Sequence, residues 1–235
     1  MAALTPMMAQ YMEVKNQYKD CILFYRLGDF YEMFFDDALT ASRELEITLT
    51  GRDCGQEERA PMCGVPYHAC DIYINKLIEK GYKVAICEQM EDPKLAKGLV
   101  KREVIRIVTP GTNMSQAILD ETRNNYLMCI FGCNEEYGLA VCDITTGEFR
   151  SCHVSSTAKL YDEINKYSPT EIIGNGAFLS CDLNFDYMKE KMKITISEAP
   201  SHYFNDDTCE DFIKRQFKVC LLYTSPSPRD KRQSR

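Results

Sequence analysis

The rhythm of apolar residues differs between the two halves of this chain, and this difference constrains the fold more than any other feature. In the first half, helical and strand patterns alternate, whereas the second half opens with three strand patterns in close succession. The stretch between the halves, residues 121–125, is polar throughout. Because 235 residues suffice for two domains of ordinary size, we predict one domain over residues 1–120 and another over 126–222.

The pattern of the first half predicts a domain in which three helices accompany a mixed sheet, with three strands identifiable from the sequence. Thr5 suits the N-cap of the first helix and Pro6 its first turn, where the missing amide hydrogen costs nothing. The predicted helices cover residues 5–19, 36–46 and 68–80, and the predicted strands cover 21–27, 82–87 and 104–108. Residues 48–61 are polar and rich in turn formers, which predicts an exposed loop.

The second half predicts an α/β domain of the ribonuclease-H-like type. Its strand patterns cover residues 126–131, 138–143, 148–153, 171–173 and 193–196, and its helical patterns cover 156–167, a segment before 193, and 206–219. Thr146-Gly147 is typical of a tight turn between adjacent strands. A three-stranded meander followed by alternating helices and strands leads to this α/β (α+β) prediction.

The last residues, 223–235, turn abruptly rich in serine, proline and arginine. Such a composition cannot bury a core, so we expect disorder there. A basic tail is either a DNA-binding arm or foreign sequence joined to an incomplete gene, and we favour the second interpretation. We also expect the second domain to lack its final elements.

Bulk composition excludes several classes of protein. A net charge of −7 argues against wrapping nucleic acid by overall electrostatic attraction, although a local positive strip is compatible with it. The twelve cysteines are scattered without a C-x-x-C pair, which predicts reduced thiols in a cytoplasm and no metal site. No run of about 18 apolar residues exists, so we expect no membrane span.

One segment, Phe24 to Phe34, carries the first functional signal. Phe30 follows the turn formers Gly28-Asp29 and stands two residues before the carboxylate of Glu32. This arrangement resembles the Phe-x-Glu element of the MutS family of DNA mismatch repair proteins. Further blocks of the same family follow in order over residues 60–69, 84–89 and 104–112, and the resemblance covers about residues 5–222.

The resemblance implies that the first domain recognises mismatches. Phe30 would enter from the minor groove and stack on a mispaired base, which is worth about 1–3 kcal/mol. Unstacking a base step costs a similar amount, and less at a mispair, so selectivity would arise from local deformability. Glu32 would hydrogen-bond to the displaced base, while its repulsion of phosphates would act against sound DNA.

Other candidates for the same surface have structural alternatives that stay open. Met62 and Gly64 lie in a predicted loop that either approaches the DNA backbone or is a tight turn supporting Phe30. Tyr31 belongs to the Phe-x-Glu element, but we favour a packing role for it and for His68. The remaining candidates either contact phosphates or lie on a solvated strand face; they are Lys101, Arg102 and Arg106.

The resemblance also implies what lies outside this chain. Full-length relatives are DNA-dependent ATPases that use ATP and Mg²⁺, form homodimers and recruit MutL-type repair partners through the connector, which the second domain resembles. No G-x-x-x-x-G-K-[ST] sequence occurs here, so we expect no cofactor and no ATPase activity from these residues. The implied setting is the bacterial cytoplasm at the nucleoid, with mismatched double-stranded DNA as the ligand.

Two alternatives belong to other functional classes. Asp143 and Glu148 on adjacent strands could hold Mg²⁺ for phosphodiester cleavage, but such nucleases need further converging carboxylates, and a turn explains both residues equally well. The chain could instead be a protein-binding module alone.

Overall fold

The computed structural model of the protein describes residues 4–91, 98–113 and 124–219. Within these ranges the chain forms two units, each built around one mixed β-sheet with helices packed against it. The α/β fold class is confirmed. The predicted boundary at 121–125 lies mostly outside the described residues, and so does the tail 223–235.

The described part of the first unit contains six strands and three helices. Its elements are α1 (Pro6–Gln17), β1 (Cys21–Leu27), β2 (Phe30–Phe34), α2 (Phe35–Leu45), β3 (Thr50–Arg52), β4 (Ala60–Pro66), a 3₁₀ turn (Tyr67–Ala69), α3 (Cys70–Glu79), β5 (Lys83–Gln89), β6 (Arg102–Val108) and a 3₁₀ turn (Pro110–Thr112). The strands lie in the order β3-β4-β2-β1-β5-β6. Only the β1–β5 pair is parallel among the described pairings, which makes the sheet mixed.

Both faces of this first sheet are covered. One face packs Phe24 and Met33 against α2 and α3, and the other packs Leu23 and Tyr25 against α1. A strand buried on both faces needs apolar residues at successive positions, which explains the continuous apolar run at the start of β1.

The second unit contains five strands and four helices among the described residues. Its elements are β7 (Tyr126–Cys133), β8 (Glu136–Asp143), β9 (Glu148–Val154), α4 (Thr157–Tyr167), β10 (Glu171–Gly174), α5 (Gly176–Leu179), α6 (Phe185–Glu190), β11 (Thr195–Glu198), a 3₁₀ turn (Ser201–Phe204) and α7 (Asp206–Phe217). The order β11-β10-β7-β8-β9 combines an antiparallel meander with two parallel pairs. The predicted meander followed by α/β alternation is confirmed.

A single core lies on one face of this second sheet. Met128 and Ile130 pack there against Leu160 and Ile164 of α4 and against Phe178. The opposite face carries the exposed side chains of Phe131 and Phe149, and α7 contributes no buried residue. This opposite face is covered only in part, because the 3₁₀ turn Pro110–Thr112 packs there on Glu171 and Leu127 and the Phe204 ring lies 5.6 Å from the Phe131 ring.

The predicted loop over residues 48–61 is wrong in part. It contains β3 and the beginning of β4, and the predicted 62–66 loop is the rest of β4. Glycine and proline in this segment favour turns in a sequence, yet β4 pairs with a strand on each side and buries Cys63 and Val65 against the core. The apolar burial of alternate residues outweighs the turn signal. A further strand, β2, was also missed.

The two units meet at the 3₁₀ turn Pro110–Thr112. The Gly111 amide donates to Oε2 of the fully buried Glu171 at 3.0 Å, and the Asn125 side-chain amide donates to the Pro110 carbonyl at 3.0 Å. The Thr170 hydroxyl in turn donates to Asn125 Oδ1 at 2.7 Å. Residues that the sequence assigns to the first domain therefore pack on the second sheet.

No helix within the described ranges is long and apolar enough to cross a membrane.

Candidate nucleic-acid interface

Phe30 stands directly after a two-residue turn that joins β1 to β2. Gly28 occupies the first turn position with φ +58°, a conformation that favours glycine, and Leu27 pairs with Phe30 across the turn. The Phe30 side chain is 47% exposed although it belongs to the central part of the sheet order. A large apolar ring is thus presented to solvent at the tip of a hairpin.

The strand that carries Phe30 is hydrogen-bonded on both sides. Phe30 pairs with Leu27 of β1 and Pro66 of β4, and Glu32 pairs with Tyr25 of β1 and Gly64 of β4. Because side chains alternate along a strand, Phe30 and Glu32 lie on the same face. The structure therefore brings together the two residues that the sequence singled out first.

Glu32 is held by an arginine that the sequence did not identify. Its carboxylate Oε2 accepts a hydrogen bond from Arg52 Nη1, and the two groups form an ion pair. The Glu32 side chain is only 16% exposed, so this carboxylate is set into the surface rather than extended from it. The contact depends on the pairing of β3 with β4, which the sequence pattern did not predict.

Gly64 lies beside Glu32 and provides the room for it. A Cβ atom at Gly64 would stand 3.4 Å from Glu32 Cγ and 3.3 Å from the Tyr31 carbonyl oxygen. The glycine therefore allows the carboxylate to lie close to β4. Met62 occupies the same strand, partly buried against the α1 side of the core.

Tyr31 lies on the face of β2 opposite to Phe30 and Glu32, where it packs under the hairpin. Its hydroxyl donates to Glu88, and burial together with this hydrogen bond raises the pKa of Tyr31 well above its ordinary value. The Arg26 guanidinium lies 3.6 Å from the Glu88 carboxylate and 3.9 Å from the centroid of the Tyr67 ring. The Tyr67 amide donates to the Asp29 carbonyl at 2.9 Å, which ties this cluster to the turn.

The three basic candidates occupy different environments. Lys101 is exposed and forms an ion pair with Glu103 at 2.6 Å. It directly precedes β6. Because β5 runs parallel to β1 and β6 runs antiparallel to β5, the beginning of β6 lies at the same end of the sheet as Phe30. Arg106 is exposed but belongs to the face that packs α3, beside Asp71.

Arg102 departs from both of its predicted environments because it is buried. Its guanidinium donates to the Arg26 carbonyl at 2.8 Å, to Gln10 Oε1 at 3.1 Å and to the Val100 carbonyl at 3.0 Å. It also lies 5.0 Å from the Tyr25 ring centroid. These contacts use the guanidinium to hold α1 against the sheet, so neither a phosphate contact nor a solvated face describes it.

Asp143, a candidate metal ligand in the nuclease alternative, organises a turn. Its Oδ1 accepts hydrogen bonds from the Thr145 amide at 2.8 Å and the Thr145 hydroxyl at 2.6 Å, and its Oδ2 accepts one from the Asn125 amide at 3.3 Å. Burial alone would raise the pKa of Asp143, but these hydrogen bonds outweigh it and hold the pKa below its ordinary value. Glu148 is engaged by Tyr126 and Arg150.

Within the described parts of the chain, no group of three or more histidine, cysteine or acidic side chains is placed to hold a metal ion. The arrangement around Asp143 therefore favours the turn interpretation over the nuclease one.

Comparison with known families matches both halves of the chain. The family described as MutS domain I matches residues 5–117, and the family described as MutS domain II matches residues 125–226. These two ranges correspond to the two units of the structure and leave only short segments unmatched.

Several curated relatives are similar over nearly the whole chain. A DNA mismatch repair protein MutS from Lachnoclostridium phytofermentans is 62% identical over 222 residues, covering 94% of this chain and 24% of the relative. The MutS protein of Acetivibrio thermocellus is 60% identical and that of Caldicellulosiruptor bescii 63% identical, with 94% and 93% of this chain covered and 26% and 25% of the relatives. The chain spans about a quarter of the length of these relatives.

Proposed function

The chain belongs to the MutS family of DNA mismatch repair proteins, and we propose that its first domain senses a mispaired base in double-stranded DNA through Phe30 and Glu32. The observation that carries this proposal is the exposed Phe30 ring at the tip of a hairpin whose second strand is hydrogen-bonded on both sides, with Glu32 on the same face.

The energetics of stacking explain why such a ring selects damaged pairing. Stacking of a base on an aromatic side chain contributes about 1–3 kcal/mol. Separating a base step costs a few kcal/mol in a sound duplex and less where the bases are mispaired. Since the two terms nearly balance, Phe30 enters only where the duplex is already weakened. This selection needs no sequence readout and applies to many kinds of mismatch.

Glu32 adds a polar interaction with the displaced base to the apolar stacking of Phe30. A carboxylate accepts hydrogen bonds from base N–H groups, which a normal pair keeps engaged and a displaced base exposes. Undamaged DNA offers the carboxylate no such donor, and its phosphates repel the charge. Glu32 therefore favours mismatched duplexes by hydrogen-bonding to the displaced base, and it disfavours matched duplexes through repulsion from their phosphates.

The remaining parts of the proposed role concern the longer protein. We expect the second domain to connect the sensor to the rest of a homodimer and to contact MutL-type partners in the bacterial cytoplasm. Its exposed face, with Phe131 and Phe149, provides a surface for such contacts. ATP and Mg²⁺ would bind elsewhere in that protein, because neither matched domain contains a phosphate-binding loop sequence.

Fluorescence anisotropy at low salt tests the proposal with two duplexes that differ only by a central G·T or G·C pair. We expect the chain to prefer the G·T duplex and the Phe30→Ala variant to lose that preference. Phe149→Ala is the matched control, since it removes an exposed aromatic ring of the second domain and should leave the preference unchanged.

Two outcomes oppose the proposal. A preference that survives in Phe30→Ala would show that another residue senses the mispair. Absence of DNA binding at low salt would favour a protein-binding module for these two domains.

A further inference from the structure

The position of Arg52 indicates a role that the comparison with known families does not assign. It lies in β3 at the edge of the sheet, and its guanidinium reaches across to Glu32 on the face that carries Phe30. It also lies 5.9 Å from the centroid of the Phe34 ring, two residues beyond Glu32 on the same face. The Arg52 side chain is 38% exposed, so it is not needed to fill the core.

The ion pair occupies one oxygen of the carboxylate. Within the described ranges, Arg52 is the only residue that donates a hydrogen bond to the Glu32 carboxylate, and it does so to Oε2. The other oxygen, Oε1, accepts no hydrogen bond from the described residues. Gly64 lies beside the glutamate on β4, and its missing Cβ allows Glu32 Cγ to lie close to that strand.

We propose that Arg52 is a positioning residue for mismatch discrimination: it holds the Glu32 carboxylate beside Phe30 with Oε1 directed outward, and it compensates the negative charge as phosphates approach. This inference rests on the proposed function of Phe30 and Glu32. Arg52 needs no contact with the mispaired base itself.

Two physical effects support this role. A glutamate side chain without a partner samples several rotamers, and fixing it before binding lowers the entropy that a hydrogen bond to a base must offset. A carboxylate near phosphates is also repelled, and a guanidinium in contact with it reduces that repulsion. The first effect concerns only DNA that offers a displaced base, whereas the second concerns any duplex.

These effects predict a specific pattern in binding. Arg52→Gln should weaken binding to both duplexes, and it should weaken binding to the G·T duplex more. We expect the ratio of the two dissociation constants to fall by about threefold or more, within the range of a partly exposed ion pair. Arg52→Lys, which retains the charge, should recover part of the ratio.

The decisive measurement is a double-mutant cycle with Glu32→Gln, using fluorescence anisotropy on the matched G·T and G·C duplexes. If Arg52 acts through Glu32, Arg52→Gln should leave the ratio unchanged in the Glu32→Gln background. Arg59→Gln is the matched control, because Arg59 is an exposed arginine of the same β3–β4 segment. It should weaken both duplexes equally, as expected for a charge that acts only on phosphates.

The outcomes separate this inference from the function on which it rests. An equal fall in the ratio in both backgrounds, or no fall in either, would refute the positioning role while Phe30→Ala still abolishes the preference. A chain with no preference that depends on Phe30 would refute the proposed function, and the role of Arg52 with it. A melting temperature of Arg52→Gln close to that of the unmodified chain would confirm that the ratio does not report misfolding.

Discussion

The β-sheets of the two domains differ in how completely their faces are covered. The first sheet has helices on both faces, and three successive residues of β1, Leu23, Phe24 and Tyr25, are fully buried. The second sheet has one face covered by its main core, while the other face is covered only in part and leaves Phe131 and Phe149 exposed. A sheet enclosed on both sides presents side chains to solvent only at its ends and edges, and Phe30 lies at one end. A half-covered sheet instead leaves a broad face for contacts.

The burial of the cysteines also differs between the two domains. In the first domain four of the five thiols are buried, and burial raises the pKa of Cys63 and Cys87 to about 12. In the second domain none of the six cysteines within the described residues is buried. The same residue type is therefore mostly enclosed in the core of the first domain, whereas in the second domain four of these six thiols are partly buried and Cys133 and Cys152 are exposed.

The largest effect should come from removing a ring within the enclosed sheet. Phe24→Ala is expected to lower the free energy of unfolding by about 3–5 kcal/mol, because it leaves a cavity that the flanking layers cannot close. Phe149→Ala, on the open face, should change it by less than about 0.5 kcal/mol. Urea denaturation followed by circular dichroism measures both. A large cost for Phe149→Ala would mean that the open face is covered in solution.

The junction between the domains should give an intermediate effect. A Cβ atom at Gly111 would lie 3.0 Å from Glu171 Cβ and 3.1 Å from Leu127 Cβ, so Gly111→Ala should cost about 1–3 kcal/mol. Native-state hydrogen exchange should show faster exchange in both β7 and β10.

Gly138→Ala is the control for the junction, because a Cβ atom there meets nothing within 4 Å. Unchanged stability in both variants would mean that residues 109–113 do not dock on the second sheet and that the two domains fold independently.

The smallest effect concerns Asp143 and depends on pH. Asp143→Asn should lower stability at pH 7 by about 1–2 kcal/mol, because an amide cannot accept all the hydrogen bonds that the carboxylate accepts. Since the folded-state pKa lies below the ordinary value of about 3.9, this stabilisation exists above that pH and is lost as the pH falls through the folded-state pKa.

Urea titrations at pH 7 and pH 3 test the pH dependence, and the difference between Asp143→Asn and the unmodified chain should shrink at the lower pH. A constant difference would indicate that Asp143 acts through shape rather than charge.

Sequence patterns predicted elements best where one local signal determined the structure. Thr5-Pro6 begins α1 as expected, and the three meander strands of the second domain are confirmed. The β3–β4 pairing was missed because its glycines and prolines are common in turns, while the burial of Cys63 and Val65 that stabilises it depends on distant residues.

The candidate site shows the same limit. Phe30 and Glu32 were identified through the resemblance to the Phe-x-Glu element of the family, whereas β2, whose alternation places them on one face, was not predicted. The contact between Arg52 and Glu32 depends on strand register, which no local pattern specifies. Arg102 looked like a surface cation, but the packing of α1 buries it.

The placement of Phe30 on a strand that is paired on both sides has a mechanical consequence. A force applied to the ring passes into the backbone of β2 and is shared by the hydrogen bonds to β1 and β4. A side chain on a free loop would instead yield with the loop. If Phe30 contacts a duplex as proposed, the hairpin should yield less than the DNA, so that binding would depend on how easily the base pairs move.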